Sequence, residues 1–125
     1  MLPPMRKAIA VLIFCVLGSG GALAQALTPF ERDLLNLAGH FGTMHHLTQI
    51  CEHEGDQVWR DNMLELLRLE NPGREQRNRM SQRFNDAYNE VEQRFPTCTP
   101  EARSYASQFA AEGAQLASRM ALTLR

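Results

Sequence analysis

Hydrophobic residues recur every three or four positions along most of the chain after residue 28, which is the spacing of one face of an α-helix. Proline, glycine and asparagine divide this pattern into four segments. The segments predict helices over about 29–51, 57–70, 72–95 and 100–122. No stretch alternates apolar and polar residues for long enough to predict a strand. The pattern therefore predicts an all-α fold.

The predicted helix ends carry their own signals. Thr28, Pro29 and Glu31 form the pattern of a capping box with proline in the first turn. Asp56 can cap the second helix, and Asn71-Pro72 separates the second from the third. Thr99-Pro100 repeats the cap and proline before the fourth. Because the connections are short, successive helices should lie antiparallel, which predicts an up-down-up-down four-helix bundle.

The first 24 residues have the layout of a cleavable signal peptide. Arg6 and Lys7 precede an apolar run over 8–17, and Ala22-Leu23-Ala24 offers the small residues that a signal peptidase reads. A membrane span needs about 20 apolar residues, and this run has half that number. We therefore expect a signal peptide over 1–24, one domain over 25–125, export to the periplasm and no transmembrane span after cleavage. The alternative is an uncleaved amphiphilic anchor.

Loss of the signal peptide changes the charge and the cysteine count. The net charge of the 125-residue chain is −1, and removal of Arg6 and Lys7 takes it to −3. The slight negative charge argues against a protein that binds nucleic acid.

Cys15 is also removed with the signal peptide, so Cys51 and Cys98 remain in an oxidising compartment. An up-down-up-down bundle brings both to one end, which predicts that a single disulfide pins the bundle. The alternative, reactive or metal-binding thiols, lacks the CxxC spacing.

Four histidines lie between positions 40 and 53. No two of them are four residues apart, so the local spacing does not predict a metal site. His40, His46 and His53 are interpreted as solvated surface residues. His46 and His53 remain candidate metal ligands if the first helix extends past Cys51. His45 falls at the edge of the apolar face, where it is a structural residue bonded across the bundle, a ligand contact or a pH-sensitive latch.

Two further features are candidates for binding. Trp59 and Arg60 start the second helix near the end of the bundle that holds the disulfide, so they can contact a ligand or partner together with His45. The fourth helix carries small residues along its apolar face, at Ala102, Ala106, Ala110, Gly113 and Ala117. This stripe predicts close approach of a neighbouring helix backbone. The alternative is a groove for a helix of a partner protein.

Several short motifs recur together in a known family. They are the run Phe41–Leu47 closing at Cys51, Trp59-Arg60, Phe84-Asn85 with Tyr88, Cys98-Thr99-Pro100, and Glu112-Gly113 with Leu116-Ala117. The chain resembles a family of small exported proteins of Gram-negative bacteria that is catalogued as a domain of unknown function. The resemblance covers most of the chain after the signal peptide. It implies export, helices and a paired set of cysteines, and it implies no activity.

The sequence contains none of the motifs that carry catalysis or cofactor binding. There is no GxSxG, HExxH, P-loop or dinucleotide fingerprint. We therefore expect a protein that uses no cofactor and is not an enzyme, and that binds an envelope protein or another envelope component. One alternative is a protein that binds a small ligand or a metal ion at the His45 and Trp59 end of the bundle. A second alternative is an enzyme, such as an envelope hydrolase.

Overall fold

The computed structural model describes residues 26–52 and 55–123. They form four α-helices in the order α1 (Pro29–Cys51), α2 (Val58–Glu70), α3 (Arg74–Arg94) and α4 (Pro100–Thr123). No strand occurs in these two ranges, so the prediction of an all-α fold is confirmed. The predicted signal peptide and His53 lie outside the described residues.

The start of α1 is fixed by the predicted capping box. The Glu31 backbone N–H donates to Thr28 Oγ1 at 3.1 Å, and the Thr28 backbone N–H donates to Glu31 Oε2 at 2.7 Å. Two backbone donors that the helix cannot satisfy internally are thereby paired. Pro29 occupies a first-turn position, where the N–H that it lacks is not needed.

The turn between α2 and α3 explains why α3 begins later than the sequence predicts. Asn71 ends α2 in the left-handed region, with φ 41°, and its backbone N–H donates to the Leu67 carbonyl. Gly73 is the N-cap of α3, and its extended backbone cannot belong to the helix. The first helical residue is therefore Arg74 rather than Pro72.

Helix α1 is the central element of the molecule. It packs against all three other helices, most extensively against α3, then α4, then α2. In the described part of the chain, no other pair of helices packs to a comparable extent. The buried side chains of α1 accordingly include both apolar residues such as Leu34 and Leu47 and polar residues such as Thr43 and Thr48.

Two helices approach closely at Gly42 of α1. A Cβ added at Gly42 would lie 2.9 Å from the carbonyl carbon of Phe84 and 3.0 Å from its Cα. A side chain is thus excluded at this position, because carbon atoms need about 3.5–4.0 Å for an ordinary contact. Glycine at position 42 lets the backbones of α1 and α3 touch.

Cys51 and Cys98 are at disulfide distance, with their Cα atoms 5.1 Å apart. The pair joins the end of α1 to the segment that precedes α4, so the predicted cysteine pairing is confirmed. Within the residues described, no helix is both long enough and apolar enough to cross a membrane.

Candidate functional site

Grooves lie on both sides of α4, because α4 packs on α1 but packs extensively against neither α3 nor α2. The polar cleft lies between α3 and α4 and has a volume of about 460 Å³. The apolar groove lies beside α4 on its Trp59 side and has a volume of about 220 Å³. Its lining residues are Leu37, His40, Phe41, Met44, Trp59, Phe109, Ala110, Gly113, Ala114 and Ala117.

Trp59 is held in the wall of the apolar groove. Its indole N–H donates to Thr48 Oγ1 at 2.8 Å, and its ring lies 5.9 Å from the ring of Phe41. Thr48 is only 3% exposed, so this hydrogen bond satisfies a buried hydroxyl and fixes the indole. The groove thus presents a fixed aromatic surface.

Gly113, one of the small residues of α4, does not have the role that their spacing predicts. A Cβ at Gly113 would meet the side chain of His40 at 3.5–3.8 Å, and no backbone atom is among its nearest neighbours. Ala110, Ala114 and Ala117 line the open apolar groove. The expectation of close backbone approach is therefore wrong at Gly113. The backbone of α1 instead approaches that of α3 closely, at Gly42.

A stack of rings forms the wall that the polar cleft and the apolar groove share. The His40 ring lies 4.1 Å from Phe109, which stacks on Tyr105 with ring centroids 5.4 Å apart. The guanidinium of Arg94 lies 4.7 Å from the centre of the Tyr105 ring. His40 Nδ1 is buried without a hydrogen-bond partner among the described residues. Burial lowers the pKa of His40, and Glu112 opposes this effect.

The interpretation of His46 as a solvated residue is wrong. His46 is 4% exposed, its Nε2 donates to the Phe95 carbonyl at 2.6 Å, and its ring meets Tyr88 edge to face. The same interpretation fails for His40, which is half-buried against Phe109. The reason is that a single apolar stripe assumes one buried face, whereas α1 is covered on several sides.

His45 is buried, but its hydrogen bond does not cross the bundle. The Gln49 side-chain amide, one turn further along α1, donates to His45 Nε2 at 3.3 Å. The ring lies 5.8 Å from Phe84 and 5.6 Å from Tyr88, both on α3. His45 Nδ1 has no partner in the described part of the chain. Burial lowers the pKa of His45, and the nearby positive charge of Arg60 lowers it further.

The structure does not bring the three predicted ligand contacts into one site. His45 faces α3, Trp59 faces Thr48 and Phe41, and the exposed Arg60 acts on His45 only through its charge. Of the two candidate metal ligands, His46 is engaged by a carbonyl and His53 is not described. Within 26–52 and 55–123, no group of three or more His, Cys, Asp or Glu could hold a metal ion.

The polar cleft was not found from the sequence. Its floor is Gly39 and Thr43 of α1, and its charged residues include Arg83 from α3 and Glu112 from α4. These residues are distant in the chain and follow no motif. The available signal was the pair of glycines at 39 and 42, because glycine inside a helix often marks a packing or functional constraint.

A family model described as "Protein of unknown function (DUF2385)" matches residues 29–123. The match spans all four helices and both cysteines. No curated protein and no solved structure matches the chain.

Proposed function

Because the chain belongs to the DUF2385 family, whose description states no activity, we propose a function on the basis of its surface. The protein is an exported binding module of the cell envelope and not an enzyme. Its apolar groove receives the apolar face of a helix from an envelope protein. The observation that carries the proposal is the open, apolar lining of this groove between Trp59 and the small residues of α4.

The length of the groove favours a helix as its occupant. A second hollow, lined by Leu47, Arg103 and Ala106, adjoins it through the shared residues Met44 and Ala110. Together the two extend along α4 from residue 103 to residue 117, about 20 Å at 1.5 Å per residue. This suits a helix of about four turns, and small residues on α4 let such a helix approach closely.

Exposed leucine on α2 extends the apolar surface. Leu69 is 64% exposed, and the 100° spacing of a helix places it about 80° from Trp59 around the axis of α2. Leu66 lies between them and is partly buried against the core. A partner helix in the groove would cover these residues, and contiguous exposed apolar surface is typical of interaction sites.

The proposed architecture is an up-down-up-down bundle. The Gln76 side-chain amide donates to the Glu31 carbonyl at 3.1 Å near the starts of α3 and α1, and the Tyr88 hydroxyl donates to Gln49 at 3.2 Å further along both helices. These contacts support a parallel α1 and α3. Contacts of Trp59 with Thr48, and of Arg103 with the Cys51 carbonyl, support antiparallel α2 and α4.

The proposed location is the periplasm, reached through cleavage of residues 1–24. The proposal rests on the basic start, the apolar run over 8–17 and the small residues before Gln25. The Cys51–Cys98 pair supports it, because disulfides persist in oxidising compartments.

The test compares two alanines on α4 in cells that export the protein. A photo-crosslinking amino acid replaces either Ala114, which lines the apolar groove, or Ala111, which is exposed and does not line it. We expect a discrete adduct with one envelope protein from position 114 and none from position 111. The same adduct from both positions, or none from position 114, contradicts the proposal.

A second measurement uses Trp59, the single tryptophan of the chain. A synthetic helix with the sequence of the crosslinked segment should change the Trp59 fluorescence of the purified protein. Ala114→Glu should weaken this binding at least tenfold, because it places a charge against apolar surface. Ala111→Glu is the matched control and should leave the binding unchanged. Equal binding by both variants contradicts the assignment of the groove.

A further inference from the structure

The polar cleft is a separate site with a different chemistry. Its floor is recessed because Gly39 has no side chain and Thr43 has a small one, and its walls are α3 and α4. A Cβ at Gly39 would lie 3.1 Å from Arg83 Nε. The absence of a side chain at position 39 therefore allows Arg83 to lie across α1 at the cleft.

Arg83 and Glu112 carry opposite charges and face this cleft from its two walls. Arg83 of α3 and Glu112 of α4 both act electrostatically on His40, with opposite effects. The salt bridges of the described residues include Arg68–Glu65 and Arg79–Glu75, and none joins Arg83 to Glu112. The cleft thus presents a positive charge on one wall and a negative charge on the other.

We propose that the polar cleft binds a small zwitterion, a free amino acid or a short peptide. Its carboxylate lies on Arg83 and its ammonium group on Glu112. The guanidinium of arginine can bind a carboxylate through two parallel hydrogen bonds. The volume of about 460 Å³ lies within the ordinary range for small-ligand sites.

The mixed lining argues against a ligand of one charge. Glu90 and Glu112 would repel a simple anion, and Arg83 would repel a simple cation. The faces of the aromatic wall are not free for stacking, because Phe109 lies between His40 and Tyr105 and the guanidinium of Arg94 lies over Tyr105. The cleft therefore favours a ligand that carries separated opposite charges over an aromatic ligand.

Calorimetric titration with three matched probes tests the proposal on the disulfide-bonded protein. Dialanine carries both charges, N-acetyl-dialanine lacks the ammonium group, and dialanine amide lacks the carboxylate. We expect saturable binding of dialanine, and binding at least about tenfold weaker for each other probe, because a charge-assisted hydrogen bond is lost. No saturable binding of dialanine at millimolar concentration overturns the proposal. Equal binding of N-acetyl-dialanine also overturns it, in favour of an anion site at Arg83.

Two variants assign the binding to the cleft. Arg83→Gln and Glu112→Gln should each weaken dialanine binding at least about tenfold while the helical circular dichroism is unchanged. Arg79→Gln and Glu75→Gln are the matched controls, because these residues form an exposed pair on α3 that does not line the cleft. They should leave dialanine binding unchanged. A loss of the same size in the controls, or no loss in the cleft variants, contradicts the site.

Discussion

Replacing Gly42 with alanine tests the contact that holds α1 against α3. The added Cβ would lie 2.9 Å from the Phe84 carbonyl carbon and nearer still to its oxygen. Backbone atoms cannot change rotamer, so the two helices must separate. Restoring an ordinary contact of about 3.5–4.0 Å needs a shift of about 1 Å, which weakens the dispersion contacts along the interface.

The size of the effect follows from two opposing contributions. Overpacking of a core costs about 1–3 kcal/mol and sometimes more, and a clash with backbone belongs at or above the upper end. Alanine is favoured over glycine inside a helix by about 1 kcal/mol. We expect Gly42→Ala to lower the free energy of unfolding by about 2–3 kcal/mol, which for a domain of this size lowers Tm by roughly 10–20 °C.

Gly113→Ala is the matched control. Its Cβ would meet His40 at 3.5 Å or more, which is an ordinary contact, so only the gain in helix propensity remains. We expect it to raise the free energy of unfolding by about 0.5–1 kcal/mol. Urea unfolding followed by circular dichroism measures both variants, with an unchanged m-value as the check on comparable unfolding. If Gly42→Ala is as stable as the parent protein, the close packing of α1 on α3 is refuted.

Two further predictions concern the disulfide and pH. The double substitution Cys51→Ser and Cys98→Ser should lower the free energy of unfolding by about 4 kcal/mol in the loop-entropy model, because the pair closes a loop across a sequence separation of 47. A urea midpoint equal to that of the oxidised parent protein would contradict this. Burial lowers the pKa of His45 from 6.5 in the folded protein. At a pH between the lowered pKa and 6.5, His45 therefore binds a proton more readily in the unfolded chain than in the folded protein. The contribution of neutral His45 to the free energy of unfolding should be fully present above about pH 6.5, and it should decrease as the pH drops from 6.5 towards the lowered pKa. Urea titrations across this pH range should show a smaller loss of stability for His45→Gln than for the parent protein. His40, whose pKa is also lowered by burial, should account for part of the loss that remains. An unchanged pH dependence of stability in His45→Gln would contradict the assignment.

Local features of the chain determined the secondary structure. The capping box of Thr28 and Glu31 and the prolines at 29 and 100 act within one turn, so they can be identified in the sequence and recur in the structure. The pairing of Cys51 with Cys98 also followed, because only two cysteines remain after the predicted signal peptide. The starts of α2 and α3 were exceptions. Gln57 rather than Asp56 is the N-cap of α2, and the left-handed Asn71 places two further residues in the turn before α3.

The tertiary structure decided which surfaces are buried and where ligands can bind. The helical spacing of apolar residues shows that one face of a helix is apolar, but it does not show how many other helices pack against it. Because α1 is central, His46 and Thr48 are buried and bonded to distant partners. Contact between α1 and α3 at Gly42 depends on steric fit between segments about forty residues apart. The polar cleft and the apolar groove lie where α4 does not pack extensively against α3 or α2. The packing of α4 depends on residues that are distant in the chain, and no local sequence pattern encodes it.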